Sequence, residues 1–265
     1  MPVVRLDDPG DCRLDPYREL KRKNVARSSG RFIAEGRFVV ERLIESPFPV
    51  ESLLMTEERY DHFQENLAEV AAPVYIVTHA ILRGLVGFDF HAGLMACGVR
   101  QPLASVDELL QDAPPRALYV ACPRTTDPVN LGNIIRLCSA FGASALLLGS
   151  ACADPFSRRV LRVSMGNVLR LPIIESDDLE CDLDRLHAAC GVERAALVLD
   201  ETAMPLSEAE RPARVALLLG NEGAGLEPEW VARCEHRWTI PMSNGTDSLN
   251  VAAAAAITLY QLTRL

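Results

Sequence analysis

Six runs in the second half of the chain, ALYVAC, SALLLG, VLRLPII, AALVLD, VALLLG and HRWTIP, are apolar almost without interruption, and most are separated by segments of helical character. A strand with one wet face alternates apolar and polar residues. A strand that stays apolar throughout is covered on both faces, which requires a mainly parallel sheet with helices on either side. In sheets of this kind ligands gather at the carboxyl ends of the strands. The loops after ALYVAC, VALLLG and HRWTIP are therefore the first places to look for chemistry, and they hold the least ordinary residues of the chain.

At 265 residues the chain exceeds the roughly 100 to 150 residues of a common domain, which argues for two. Apolar residues make up 49% and charged residues 24%, enough to build both cores. The first half alternates strand-like and amphipathic stretches: RFIAEG, RFVVERLIES, VESLLMT, EERYDHFQENLAEV, PVYIVTH, AILRGLVG and LMACGVR. This predicts a small α/β domain over residues 1–105. The prolines and polar residues of QPLASVDELLQDAPPRA suit a linker, placed at 106–116, with a second α/β domain over 117–265.

Several functional classes are excluded early. The amino terminus has no basic region followed by an apolar run, and no stretch is long enough to span a bilayer, so a cytoplasmic protein without membrane association is expected. The eight cysteines include no C-x-x-C pair and no zinc-type spacing, and Cys234 and His236 stand too close together to form a site; reduced, mostly buried thiols and no metal are expected. A net charge of −9 argues against indiscriminate nucleic-acid binding. The charge is uneven, however. RELKRKNVARSSGR, from Arg18 to Arg31, carries six basic residues (Arg18, Lys21, Arg22, Lys23, Arg27 and Arg31) against one acidic, a net of +5 that leaves −14 for the remainder. Such a run reads either as a phosphate-binding surface or as a solvated helix end.

After ALYVAC the chain continues PRTTDPVNLGNIIRLCSAFGASALLLG. Asn130 falls where a helix starts, and Arg136 follows six residues later, close to two helical turns, so both can approach one mouth of the sheet. The plainer alternative makes Asn130 a helix cap and Arg136 a surface residue. In LLLGNEGAGLEPEW, Gly220, Gly223 and Gly225 let the backbone turn sharply; their order matches neither the dinucleotide fingerprint nor the P-loop. Glu222 either caps this turn or orients a cation such as Arg136. In IPMSNGTDSLNVAAAAAITLYQL, Asp247 or Ser248 is expected to cap the last helix, with Asn250 projecting from its first turn. The run Ala252 to Ala256 makes a thin helix suited to close packing, or simply a good helix former.

Taken together, NLGNIIR with FGASALLLG, LLLGNEGAGL, and the alanine-rich carboxyl-terminal stretch resemble the three motifs of the SpoU (TrmH-type) branch of the SPOUT RNA methyltransferases, in the family's order across residues 117–265. LRVSMGNVLRLPI, between the first two, is also similar to the family. RFIAEGRFVVERLIES, VESLLMT and FHAGLMACG are similar to the ribosomal-protein-like RNA-binding domain that many members carry. The resemblance implies a parallel-sheet SPOUT domain whose carboxyl-terminal segment threads a loop to form a trefoil knot. It also implies S-adenosylmethionine held by the knotted loops, and methyl transfer to a ribose 2′-hydroxyl of structured RNA, rRNA or tRNA. A helix drawn through a loop needs a narrow waist, which the alanines supply.

Carried over position by position, the resemblance assigns Asn130 and Arg136 to the first motif, Glu222 to the second, and Ser248 and Asn250 to the third. Arg136 is implied to act on the 2′-hydroxyl; a guanidinium with pKa above ~12 is a poor base, so removing the proton and gripping the adjacent phosphate both stay open. Cofactor contacts are implied from the backbone at Leu219, Gly220, Ile240, Met242 and Leu249, with Gly220 kept free of a Cβ that would block the ligand. Members commonly form homodimers, and Arg158, Arg159 and Arg162 could join the basic segment against RNA, or else form a solvated helix face. Competing readings are a cofactor-free RNA-binding or assembly protein of the same fold and an α/β enzyme acting on a small metabolite.

Overall fold

The computed structural model describes residues 2–18, 20, 30–68, 70–87, 90, 92–221, 223–243 and 248–264. The chain divides into two compact units, Met1–Pro102 with Asp154–Arg170, and Leu103–Ala153 with Leu171–Leu265.

The first unit is built on a five-stranded sheet of β1 (Val3–Arg5), β2 (Arg31–Glu35), β3 (Val50–Thr56), β4 (Val74–Val77) and β5 (Leu94–Val99), in the order β1-β4-β3-β5-β2. β1, β4 and β3 are parallel, and β5 runs antiparallel to both of its neighbours. Helices α1 (Arg37–Ile44), α2 (Glu57–Phe63) and α3 (His79–Val86) accompany it. Thr56 and Thr78 convert strand to helix: each hydroxyl accepts from a backbone amide one turn on, Arg59 and Ile81, satisfying groups the helix leaves open. Leu14, Tyr17, Leu54, Leu82, Val86 and Met95 form part of its core, where the buried Tyr17 hydroxyl donates to the Ser52 carbonyl. β1 has no counterpart in the sequence reading, because three residues are too few to show a period.

Residues 154–170 belong to this unit although unit-two strands flank them in sequence. Phe156 packs its ring against Phe32 and Phe48, with centroids 5.1 and 5.4 Å apart. The helix that follows, Arg158–Val163, starts from a Ser157 cap and lies against β2.

The second unit carries a seven-stranded sheet of β6 (Ala117–Cys122), β7 (Ala145–Gly149), β8 (Ile173–Ser176), β9 (Glu193–Leu197), β10 (Met204–Pro205), β11 (Arg214–Leu218) and β12 (His236–Thr239). Its order is β10-β12-β9-β11-β6-β7-β8 and every pairing is parallel. All six residues of β6 are buried, as expected for a strand covered on both faces. VLRLPII is only partly strand: β8 begins after Pro172, which cannot donate to a ladder, and Asn167–Leu169 is a 3-10 turn. Within 106–116 lies a helix, α4 (Val106–Gln111), started by a capping box between Ser105 and Glu108.

The remaining helices are α5 (Pro128–Ala140), α6 (the Arg158–Val163 helix of the first unit), α7 (Leu179–Cys190), α8 (Pro228–Ala232) and α9 (Val251–Arg264). α9 packs on α5. Its buried residues, Val251, Ala252, Ala255, Thr258, Leu259 and Leu262, recur at three- and four-residue spacing, so two of the alanines lie on the packed face.

Candidate active site

At the carboxyl ends of β9, β11 and β12 three stretches of chain enclose a cavity of about 450 Å³. Leu197, Val198 and Leu199 supply one wall, and Leu219, Gly220, Asn221 and Gly223–Leu226 a second. Ile240, Met242, Ser248, Leu249, Val251 and Ala254 complete it. All five residues expected to offer backbone to a cofactor, Leu219, Gly220, Ile240, Met242 and Leu249, line this space, as does Ser248. The loop after β9 had no signal in the sequence, since AALVLD lacks glycine and leads into no recognisable motif.

The β11 loop owes its shape to its own backbone. Asn221 and Gly225 exchange two backbone hydrogen bonds, of 2.8 and 2.9 Å, closing a tight turn in which Gly225 adopts a φ of +69°. A Cβ on Gly220 would stand 2.4 Å from the Gly225 carbonyl carbon and 2.5 Å from the Leu226 nitrogen. Glycine is therefore demanded at 220 by the closing turn itself, before any ligand is considered. The Asn221 carboxamide completes the turn, its Oδ1 accepting from the amides of Gly223 (2.9 Å) and Ala224 (3.3 Å). Glu222 lies outside the described residues.

Asn130 and Asn250 meet. The Asn250 Nδ2 donates to the Asn130 Oδ1 at 2.9 Å, while Asn250 Oδ1 accepts from the Ala252 amide and its carbonyl from Ala254. Asn250 is thus the cap of α9 rather than a residue of its first turn, and Ser248 does not cap it; Asp247 lies outside the described residues. Asn130 likewise does not cap α5. Asp127 does so, accepting from the amides of Val129 and Asn130, with Pro128 at the first helical position, where its missing N–H is harmless. Arg136 is six residues further, about 9 Å along the axis at 1.5 Å per residue. It is exposed, forms no ion pair among the described residues and does not line the cavity.

All eight cysteines are free thiols, of which Cys97, Cys122, Cys138 and Cys152 are buried. Burial pushes the Cys138 thiol of α5 up to about 12, which removes it as a nucleophile. Among the described residues no group of three or more His, Cys, Asp or Glu side chains could hold a metal ion.

The basic residues are less uniform than their sequence suggests. Lys21, Arg22, Lys23 and Arg27 lie outside the described residues. Arg18 pairs with Asp15 at 2.7 Å and Arg31 with Glu51 at 2.5 Å. Arg158 and Arg162 both approach Glu35, at 3.5 and 3.4 Å. Burial draws the Arg158 pKa down against the pull of Glu35, whereas Arg159 is exposed.

The model of the SpoU rRNA Methylase family matches residues 117–260, from the first residue of β6 to within five residues of the end of α9. The chain belongs to the SpoU rRNA methylase family. An uncharacterized tRNA/rRNA methyltransferase of Mycobacterium tuberculosis is 36% identical over 269 residues, covering 99% of this chain and 92% of that protein. The 23S rRNA (guanosine-2′-O-)-methyltransferase RlmB of Acinetobacter baylyi is 32% identical over 236 residues, 85% of this chain and 94% of RlmB. Among solved structures, the AdoMet-bound rRNA methyltransferase of Sinorhizobium meliloti superposes with a TM-score of 0.83 at 27% identity, covering 99% of this chain and 98% of that one.

The SpoU cavity is chemically suited to such a methyl donor. Its lining has no charged side chain among the described residues, so no cation opposes a sulfonium, and Leu, Ile, Val and Met side chains offer an apolar bed for a flat base. Polarity comes from loop backbone, Asn221 and Ser248.

Proposed function

We propose that this SpoU protein transfers a methyl group from S-adenosylmethionine to a ribose 2′-hydroxyl of ribosomal RNA. The observation that carries the reading is the neutral cavity at the carboxyl ends of β9, β11 and β12, inside the stretch that matches the family. When bound, S-adenosylmethionine supplies an electrophilic methyl on a sulfonium; the ribose oxygen forms the new C–O bond, and the C–S electron pair departs with sulfur.

The chain's own contribution is alignment and charge. Backbone groups of Leu219, Gly220, Ile240, Met242 and Leu249 hold the donor, and the Gly220–Gly225 turn fixes their spacing. Asn130 and Asn250, locked to each other, join the ribose-binding edge to the α9 cap. Arg136 acts on the substrate: its exposed guanidinium presents a planar fork of N–H donors that suits a phosphate oxygen pair beside the reacting ribose, leaving solvent water to accept the hydroxyl proton. Glu222 orients that guanidinium. The alanine face of α9 supports a trefoil knot in which this segment passes through a neighbouring loop.

Residues 1–105, with Arg159 and the basic segment, select the RNA. The protein works in the cytoplasm and as a homodimer, and the dimer is supported by Ile257 and Tyr260, which stand 43% and 49% exposed on the side of α9 turned away from its packed face. Calorimetric titration with S-adenosylmethionine, followed by mapping of ribose methylation on rRNA from cells with and without the protein, tests the reading. Binding of the donor and loss of one 2′-O-methyl mark in the deleted strain are expected. A chain that ignores the donor overturns it.

A further inference from the structure

Asn221 sits in the cavity wall, and its two amide atoms face different loops. Oδ1 holds the β11 loop together through Gly223 and Ala224, while Nδ2 reaches across to donate to the Arg124 carbonyl at 3.3 Å. Arg124 belongs to the turn Pro123–Thr126, which leaves β6 and runs into the Asp127 cap of α5.

The opposite side of that turn is fixed as well. The Thr125 amide donates to Cys152 Sγ at 3.2 Å, and the Ala153 amide donates to the Thr125 carbonyl at 2.9 Å. Gly149 comes so near that a Cβ there would stand 2.4 Å from the Pro123 carbonyl oxygen. The turn is thus held between the loop after β7 and the loop after β11. The first grip is buried, whereas the Asn221 bond in the second is exposed.

From this geometry we infer that Asn221 is a positioning residue, which registers the cofactor-binding loop against the start of the helix bearing Asn130 and Arg136. The inference rests on the methyl-transfer reading for its consequence, though not for its structural content. Through Nδ2 the β11 loop touches the Arg124 carbonyl, and three residues further on Asp127 caps the first turn of α5, so a short stretch of chain joins the loop to the helix start. An exposed bond of this length adds little to stability. What it sets is the placement of the substrate-side groups relative to the donor, where a shift of about 1 Å can cost two orders of magnitude in rate.

The two functions of the carboxamide separate by substitution in the full-length protein. Asn221→Asp keeps the acceptor for Gly223 and Ala224 but turns the Nδ2 donor into an oxygen that faces the Arg124 carbonyl; Asn221→Ala loses both. Three measurements apply: calorimetric affinity for S-adenosylmethionine, steady-state methyl transfer to total rRNA from a strain lacking the protein, and amide hydrogen exchange without ligand. For Asn221→Asp we expect the donor still to bind, with affinity lowered less than in Asn221→Ala, since the loop keeps its acceptor. We expect kcat lower by on the order of tenfold or more with KM for RNA little changed. Exchange should be faster across residues 123–131. Asn221→Ala should show the same exchange change and, in addition, weakened donor binding. Wild-type kcat in Asn221→Asp, or faster exchange confined to 219–226, overturns the inference. Wild-type protein that transfers no methyl group sinks the functional reading instead, and the exchange result then still decides whether Asn221 couples the two loops.

Discussion

The carboxamide of Asn250 donates to that of Asn130 across 120 positions of sequence, joining the start of α9 to the first turn of α5. The same side chain caps α9 through its other atom, so one residue both begins a helix and ties it to its neighbour.

Replacing Asn250 therefore separates stability from chemistry. Asn250→Ala removes the cap, worth about 1 kcal/mol, and should lower the melting temperature by about 2–4 °C in a chain of this size. Asn250→Asp keeps an acceptor for Ala252 and should melt near wild type, yet it loses the donor to Asn130. Both should reduce methyl transfer, which calorimetric melting beside a transfer assay will show.

Arg136→Ala should abolish methylation while sparing donor binding and stability. The side chain is exposed and forms no ion pair among the described residues, and surface changes of this kind stay within about 0.5 kcal/mol. Appreciable residual turnover, measured with saturating donor, would refute the first half.

Gly220→Ala forces a Cβ into the Gly225–Leu226 backbone, so the loop must open. Overpacking of this kind costs about 1–3 kcal/mol, and donor affinity should fall by at least about tenfold as the cavity wall moves. Calorimetric titration checks the affinity and urea unfolding the stability.

Arg159→Ala should lower the slope of log affinity for rRNA against log salt by about one contact. Arg158→Ala should instead act on folding, because Arg158 is partly buried beside the nearly enclosed Glu35 carboxylate. Salt titrations and melting curves of the two variants distinguish these outcomes.

Acid stability in the second unit draws on Glu235. Burial pushes the Glu235 carboxyl up, but the amide and guanidinium of Arg194, at 2.6 and 2.8 Å, outweigh it and hold the pKa down from the ordinary 4.5 to about 2. A carboxylate depressed in the folded state stabilises above its unfolded pKa, and that stability is lost as pH falls from about 4.5 towards 2. Glu235→Gln should be less stable than wild type at pH 7 and should narrow the gap at pH 3, as followed by urea unfolding.

Much of the second unit was legible because its signals are local. β6, β7 and β11 announce themselves as unbroken apolar runs, and the loops that follow β11 and β12 line the cavity. What escaped was decided at a distance. Several residues before each helix can cap it, and only the backbone path selects Asp127 over Asn130 and Asn250 over Ser248. The tie of Asn221 to Arg124 gave no signal because it depends on where a residue 97 positions away lies. The allegiance of 154–170 depends on Phe156 meeting Phe32 and Phe48, which no periodicity encodes.

That allegiance bears on how such a protein can be taken apart or recombined. Because Asp154–Arg170 departs from one unit and returns to it, no single cut near residue 105 yields two self-sufficient fragments. A carboxyl-terminal fragment from such a cut would carry Phe156, Val160 and Leu161 stripped of the sheet that shields them. Grafting the first unit of one relative onto another would need three matched crossovers, so residues 1–102 and this excursion are expected to be inherited together.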